Sequence, residues 1–281
     1  MIAFCAAGCG GGTGSAKFTT WGEEYIEDEI PADPTGEGGF IDGWTLHYSK
    51  FLVTMHGIKV AASDGTVGAT MEGSKLIDNT VAGKKDLVTF TDLEARAWDE
   101  VSYQIKPATA TSELVGATEA DRTMMVAGGY SLYVAGEATK TSTSGGMVTK
   151  TFKLGYTLGT QYTHCLQAEE SGQEIAGLVV TEGGTDVSEL TTHGDHFFYD
   201  RLKASPDPAV ATVLRFDEKA IADANNDNDV TQSELNALAI DVRKYDPSGF
   251  DAPTLGAFMT ALARTVGHYR GEGECSISNI P

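Results

Sequence analysis

"TFKLGYTL", residues 151–158, sets Phe152, Leu154, Tyr156 and Leu158 at every second position, with Lys153, Gly155 and Thr157 between them. A period of two puts the four large side chains on one face of an extended chain, which is the mark of a strand buried on that face. The same alternation recurs at Val101, Tyr103 and Ile105, and at Tyr130, Leu132 and Val134. Turn-forming stretches such as "TSTSGG" (141–146) and "TEGG" (181–184) separate the runs. "GWTLHYSKFLVTMHGIKV" (43–60) changes phase near Lys50 and Gly57, where a bulge or turn is expected. From Phe18 to about Ser205 the chain therefore reads as strands, and the pattern predicts an antiparallel β-sandwich-like body. Inside it, "ATEADRTMMVAGG" (117–129) predicts a short helix opened by Thr118, with Asp121 three residues on. "WGEEYIEDEIP" (21–31) crowds Glu23, Glu24, Glu27, Asp28 and Glu29 around Trp21 and Tyr25 and reads as a charged edge strand.

After "RLKASPDP" (201–208) the period lengthens to that of a helix. Leu255, Phe258, Met259, Leu262 and Val266 form an apolar stripe, and Pro253 stands near the first turn, where its missing donor is harmless. The expected class is thus mainly β with C-terminal α. The expected division is an N-terminal flexible tether over 1–16, a β-sandwich-like domain over 17–205, and a helical subdomain over 206–281 docked onto it.

The 281 residues, 41% hydrophobic, suffice for a sizeable core. A formal charge of −20 excludes nucleic acid as a partner, because neutralising a phosphate backbone needs clustered Lys and Arg. No run of apolar residues is long enough for a membrane-spanning helix.

At the N-terminus, Ala6, Ala7 and Gly8 precede Cys9, and a glycine-rich, uncharged stretch follows. This resembles the lipobox of bacterial lipoproteins, in which the cysteine is acylated. The resemblance implies lipidation at Cys9 and an exported protein, either lipid-anchored to the bacterial outer membrane or cell surface, or periplasmic. With Cys5 lost with the signal and Cys9 lipidated, Cys165 and Cys275 remain, an even pair suited to a disulfide in an oxidising compartment. On the chain-entropy model such a bridge, closing a loop of about 110 residues, contributes roughly 4 to 5 kcal/mol.

Two stretches carry candidate ligands. "DANNDNDVTQSE" (223–234) resembles EF-hand and dockerin-type calcium loops, which present oxygens from positions 1, 3, 5, 7, 9 and 12. Those positions hold Asp223, Asn225, Asp227, Asp229, Thr231 and Glu234, with Asp229 donating its backbone carbonyl and Glu234 closing the site. Val230 is the inward apolar residue, Thr231 and Glu234 make a capping box, and Asn228 takes the place of the usual glycine. No second loop is present: "DPSGFDAPTL" (246–255) begins like one but leads to Ala257 where the closing glutamate belongs. A lone site outside the cell is expected to hold calcium as a structural staple, at about 10⁻⁴ to 10⁻³ M.

The second stretch, "TTHGDHFFYD" (191–200), places His193, Asp195 and His196 within four residues, a donor set for zinc, copper or iron. It resembles the second half of the metallo-β-lactamase signature, with Thr191 standing where the first histidine belongs. His164 beside Cys165, and His268 seven residues before Cys275, are drawn toward one neighbourhood by the proposed disulfide. There is no Gly-x-Ser-x-Gly elbow, and "GCGGGTGS" (8–15) lacks the lysine of a phosphate loop. The expected function is a calcium-binding exported lipoprotein, non-enzymatic, acting in binding or envelope interactions with a protein or glycan partner. The alternative is a transition-metal-binding protein or metal-dependent hydrolase built on His193, Asp195 and His196.

Overall fold

Met147–Tyr156 runs antiparallel to Leu132–Thr141, with Leu154 opposite Val134 and Phe152 opposite Gly136, so the alternating residues share one buried face as their period requires. The structure, a computed structural model, describes residues 11–168 and 174–281; Cys9 and the lipobox-like residues lie outside the described residues. Through the first half the elements are β1 (Thr13–Thr20), α1 (Glu23–Glu27), β2 (Thr45–Ala61), β3 (Val67–Thr70), β4 (Ser74–Asp78), β5 (Lys85–Glu94), β6 (Ala97–Trp98), β7 (Glu100–Ile105) and β8 (Glu113–Val115). Then come α2 (Glu119–Gly128), β9 (Leu132–Thr141), β10 (Met147–Tyr156), β11 (Thr160–Thr163), β12 (Leu166–Ala168), β13 (Glu174–Ala176), β14 (Leu178–Val179) and β15 (Thr185–Glu189). The remainder holds a 3-10 turn (Asp195–Phe198), α3 (Asp217–Ala222), β16 (Asp229–Thr231), α4 (Gln232–Ala237), α5 (Leu255–Leu262) and β17 (Ser276–Asn279).

The fold is mainly β. Ten strands form a curled sheet in the order β16-β10-β9-β2-β7-β11-β17, with β3 and β4 also on β2 and β8 on β4. The long strand β2 makes this possible by breaking register twice, between Tyr48 and Lys50 and between His56 and Lys59, where Gly57 has φ +53°. Each bulge turns the strand, so its first half pairs with β9 and its second with β7. A second sheet, β15-β1-β5, buries Ala16, Phe18 and Phe90 in the same hydrophobic core.

Several expectations change. The expected tether to residue 16 enters the second sheet at Thr13, because Gly14 lets the chain run against the backbone oxygens of Thr181 and Gly184, where a side chain has no room. The acidic stretch at 21–31 is no edge strand: Glu23–Glu27 is one helical turn with Ile26 buried. Residues 206–281 do not make a helical subdomain. Their helices are six to eight residues long, too short to bury a face among themselves. The segment instead extends the main sheet at both edges, with β16 parallel to β10 and β17 antiparallel to β11. Leu255, Phe258, Met259, Leu262 and Val266 are buried in the common core, with Val266 just beyond the helix that Thr254 caps.

Two expectations hold closely. Thr118 and Asp121 form a reciprocal capping box at the start of α2. Cys165 and Cys275 are joined by a disulfide, which fastens the ends of the neighbouring strands β11 and β17.

Candidate metal centre

Two short segments far apart in sequence lie side by side. His193 N–H donates to the Val266 carbonyl at 2.9 Å, and His268 N–H to that of Thr191 at 3.0 Å, with Thr192 opposite Gly267. Gly267 is required there: the stacked rings of Tyr103 and Tyr162 lie where its side chain would stand. The pairing sets the rings of His193 and His268 4.2 Å apart, centroid to centroid. After His193 the chain enters the 3-10 turn, pinned by Phe197 and Phe198 in the core and by the Tyr48 hydroxyl, which donates to the Gly194 carbonyl at 2.6 Å. That turn brings the His196 ring to 5.3 Å from His193 and 5.0 Å from His268.

All three histidines are buried, as is Asp195. Thr265 Oγ1 donates to the Leu262 carbonyl and so accepts from His196 Nδ1, each at 2.8 Å; this network assigns the proton to Nδ1 and leaves Nε2 as a lone-pair donor. Such an outer partner is what orients a metal-binding imidazole. Burial pushes His268 down to about 4, helped by His193, and holds His196 well below the usual range, with His268 and His193 adding to the effect. Both rings are therefore neutral near pH 7, the state that binds metals.

Carboxylates surround them. Asp195 Oδ2 accepts from the Tyr199 hydroxyl at 2.9 Å, and burial raises the Asp195 pKa. Glu23 Oε2 stands 3.5 Å and Glu272 Oε1 4.0 Å from His193 Nδ1. Burial raises Glu23 to about 7 against the pull of His193, and its backbone is held at φ +53°, a strained conformation for a residue with a side chain.

Among the described residues, two groups of three have ligand atoms mutually within 4.8 Å: His193, Asp195 and His196, and His193, His268 and Glu272. His193 belongs to both. Its Nε2 and the Nδ1 of His268 are buried with no hydrogen-bond partner in the protein. A groove of about 900 Å³ opens beside them, touching His196, His268 and Glu272.

His164 does not join: it is exposed and its Nδ1 pairs with Glu100 at 2.9 Å. Glu23 and Glu272 were not expected from the sequence. Glu272 sits at helix-like spacing from His268 in "HYRGE" (268–272), a weak signal, and Glu23 is hidden in an acidic run.

The loop at 223–234 lies elsewhere, between α3 and α4. Asp223 accepts from the backbone N–H groups of Asp227 (3.1 Å) and Asn228 (3.0 Å), and Asn225 and Asp227 accept from those of Asp227 and Asp229, each at 2.9 Å. Asn226 and Asn228 take positive φ, the role expected of Asn228. Glu234 is engaged with Thr231 in the capping box, and no three carboxylates of the loop fall within 4.8 Å of one another among the described residues. The Lys150 ammonium, from β10, lies on the Asp223 carboxylate and 3.2 Å from Asn228 Oδ1, and chiefly for that reason the Asp223 pKa is lowered. Searches against protein-family models, curated proteins and solved structures return no match for this chain.

Proposed function

We propose that the protein holds a transition-metal ion, zinc by the chemistry of its donors, with His193 as the ligand common to two candidate sets, one completed by His268 and Glu272 and the other by Asp195 and His196. The observation that carries the reading is the pair of buried, partnerless ring nitrogens, His193 Nε2 and His268 Nδ1. Left so, each costs about 1 to 3 kcal/mol, and coordination to a cation would satisfy a ring nitrogen that has no partner in the protein. The tautomer fixed by Thr265 and the open groove support an accessible centre, where an ion acts as a Lewis acid on whatever enters.

The test is metal analysis of the protein after equilibration with zinc, followed by titration against a chromogenic chelator. One equivalent of zinc is expected, lost in His193→Ala. His268→Ala and Glu272→Gln against His196→Ala and Asp195→Asn then identify which group binds. Wild-type protein that leaves zinc with the chelator overturns the reading.

We propose further that the chain is an exported lipoprotein acylated at Cys9, with a sandwich-like body and a calcium loop at 223–234. The disulfide favours an oxidising compartment. The helix–loop–strand–helix course, with left-handed Asn228, supports the loop reading. The strand of that loop lies on β10, so the main sheet provides the support that a second loop gives in paired sites.

A further inference from the structure

We infer that the groove beside the histidines is a binding site for an extended polypeptide, which adds as a strand to the outer edge of β17. The inference stands on the sheet and the groove, and holds whether or not an ion sits at His193.

Three consecutive residues of β17, Ile277, Ser278 and Asn279, line the groove. Successive side chains of a strand point to opposite faces of its sheet, so a cavity that touches all three lies along the strand's edge and not over one face. Among the described residues β17 pairs with β11 alone, and no strand covers its other edge.

The direction of its backbone groups follows from one bond. Ile280 N–H donates to the Gly159 carbonyl, so residue 280 faces β11. In an antiparallel pair the facing alternates, so Ser276 and Ser278 also turn inward, while Ile277 and Asn279 present N–H and C=O outward, into the groove. Two outward residues offer an incoming chain the ladder used wherever peptides bind by strand addition.

The walls suit a peptide's side chains. Phe250 and Ile277, 52% and 40% exposed, give apolar contact where every other described phenylalanine is buried, and Ser248 and Thr212 offer hydroxyls. A strand laid along β17 passes through the same groove that touches His196, His268 and Glu272. A peptide main chain is thereby carried past the candidate metal ligands. Small ions lack the extended backbone that matches the edge.

The probe is a fluorescein-labelled peptide of alternating valine and serine, titrated by anisotropy with the oxidised full-length chain, both metal-free and zinc-equilibrated. Saturable binding is expected in both. Asn279→Pro removes only an outward N–H and leaves the β11 bonds intact; it should weaken binding about tenfold, as should N-methylation of the probe's edge-facing amides. Circular dichroism and an intact disulfide confirm that the variant is folded. The proposal is overturned if the probe does not bind, if Asn279→Pro and the N-methylated probe bind as tightly as their parents, or if the edge is instead closed by self-association that the probe cannot compete away. A centre that fails to bind zinc while the probe still binds removes only the metal reading.

Discussion

Lys219 is 1% exposed, lying 4.7 Å from the centre of the Tyr245 ring, with its ammonium donating to the Arg215 carbonyl at 2.9 Å and to the Tyr245 hydroxyl at 3.2 Å. Burial pushes its pKa down to about 7, although Asp42 and Glu218 pull the other way. In the unfolded chain it returns to the ordinary value of 10.5, so between about pH 7 and 10 the unfolded state holds the extra proton. Its effect on stability therefore favours folding more as pH rises across that window, and is lost as pH falls through about 7. Lys219→Met keeps the volume and removes the titration. Denaturant melts from about pH 7 to 9 should show a rise for the wild type, at most about 1.4 kcal/mol per pH unit, that flattens in the variant. Equal slopes would mean that this ammonium is not desolvated. Single residues of this kind are hard to read from sequence: Lys219 sits in "FDEKAI" (216–221), an ordinary amphipathic turn, and only the packing of Phe198 and Tyr245 makes it buried.

The short elements decide how the proposed calcium loop would behave. Because β16 lies parallel to β10, Lys150 reaches from the sheet into the ring of oxygens and holds Asp223. If calcium binds there as proposed, it would have to displace that ammonium. Lys150→Met should therefore tighten calcium binding at least about tenfold, since one unit charge is removed from beside the ion, while Glu234→Gln weakens it. Calorimetric titration and melting in calcium against chelator measure both. If neither wild type nor Lys150→Met takes calcium, the stretch is a polar turn held by lysine. The long strands were legible because alternation at 101–105, 130–134 and 152–158 is local information. β16 and β17 were not, since three or four residues carry too little pattern and their partners lie more than seventy residues away in sequence. The candidate centre was half legible for the same reason. His193, Asp195 and His196 are neighbours in sequence, His268 was reachable through the cysteine pair, and the bonds from residues 193 and 268 that build the site are non-local.

Across the whole molecule one core joins what looked like two regions. Phe216, Leu255, Phe258, Met259, Leu262, Val266 and Tyr269 each lie at 1% exposure or less among side chains of the β-body. At about 1.5 to 3 kcal/mol each, their loss matches or exceeds the whole stability of a typical domain, about 5 to 15 kcal/mol. Residues 11–205 expressed alone should therefore fail to fold, giving a broad, non-cooperative melt and little amide dispersion by NMR. A sharp transition in that fragment would restore the two-domain division.

The early start of β1 bears on how the protein would sit on a membrane. Only Gly10, Gly11 and Gly12 separate Cys9 from the strand that β5 and β15 flank on both sides. Fully stretched, that leash spans roughly 14 Å. A lipid on Cys9 would hold the body flush against the bilayer with one end of the β15-β1-β5 sheet facing it. The molecule would then search for partners by diffusing in two dimensions, with a fixed attitude, instead of sweeping a volume on a flexible stalk.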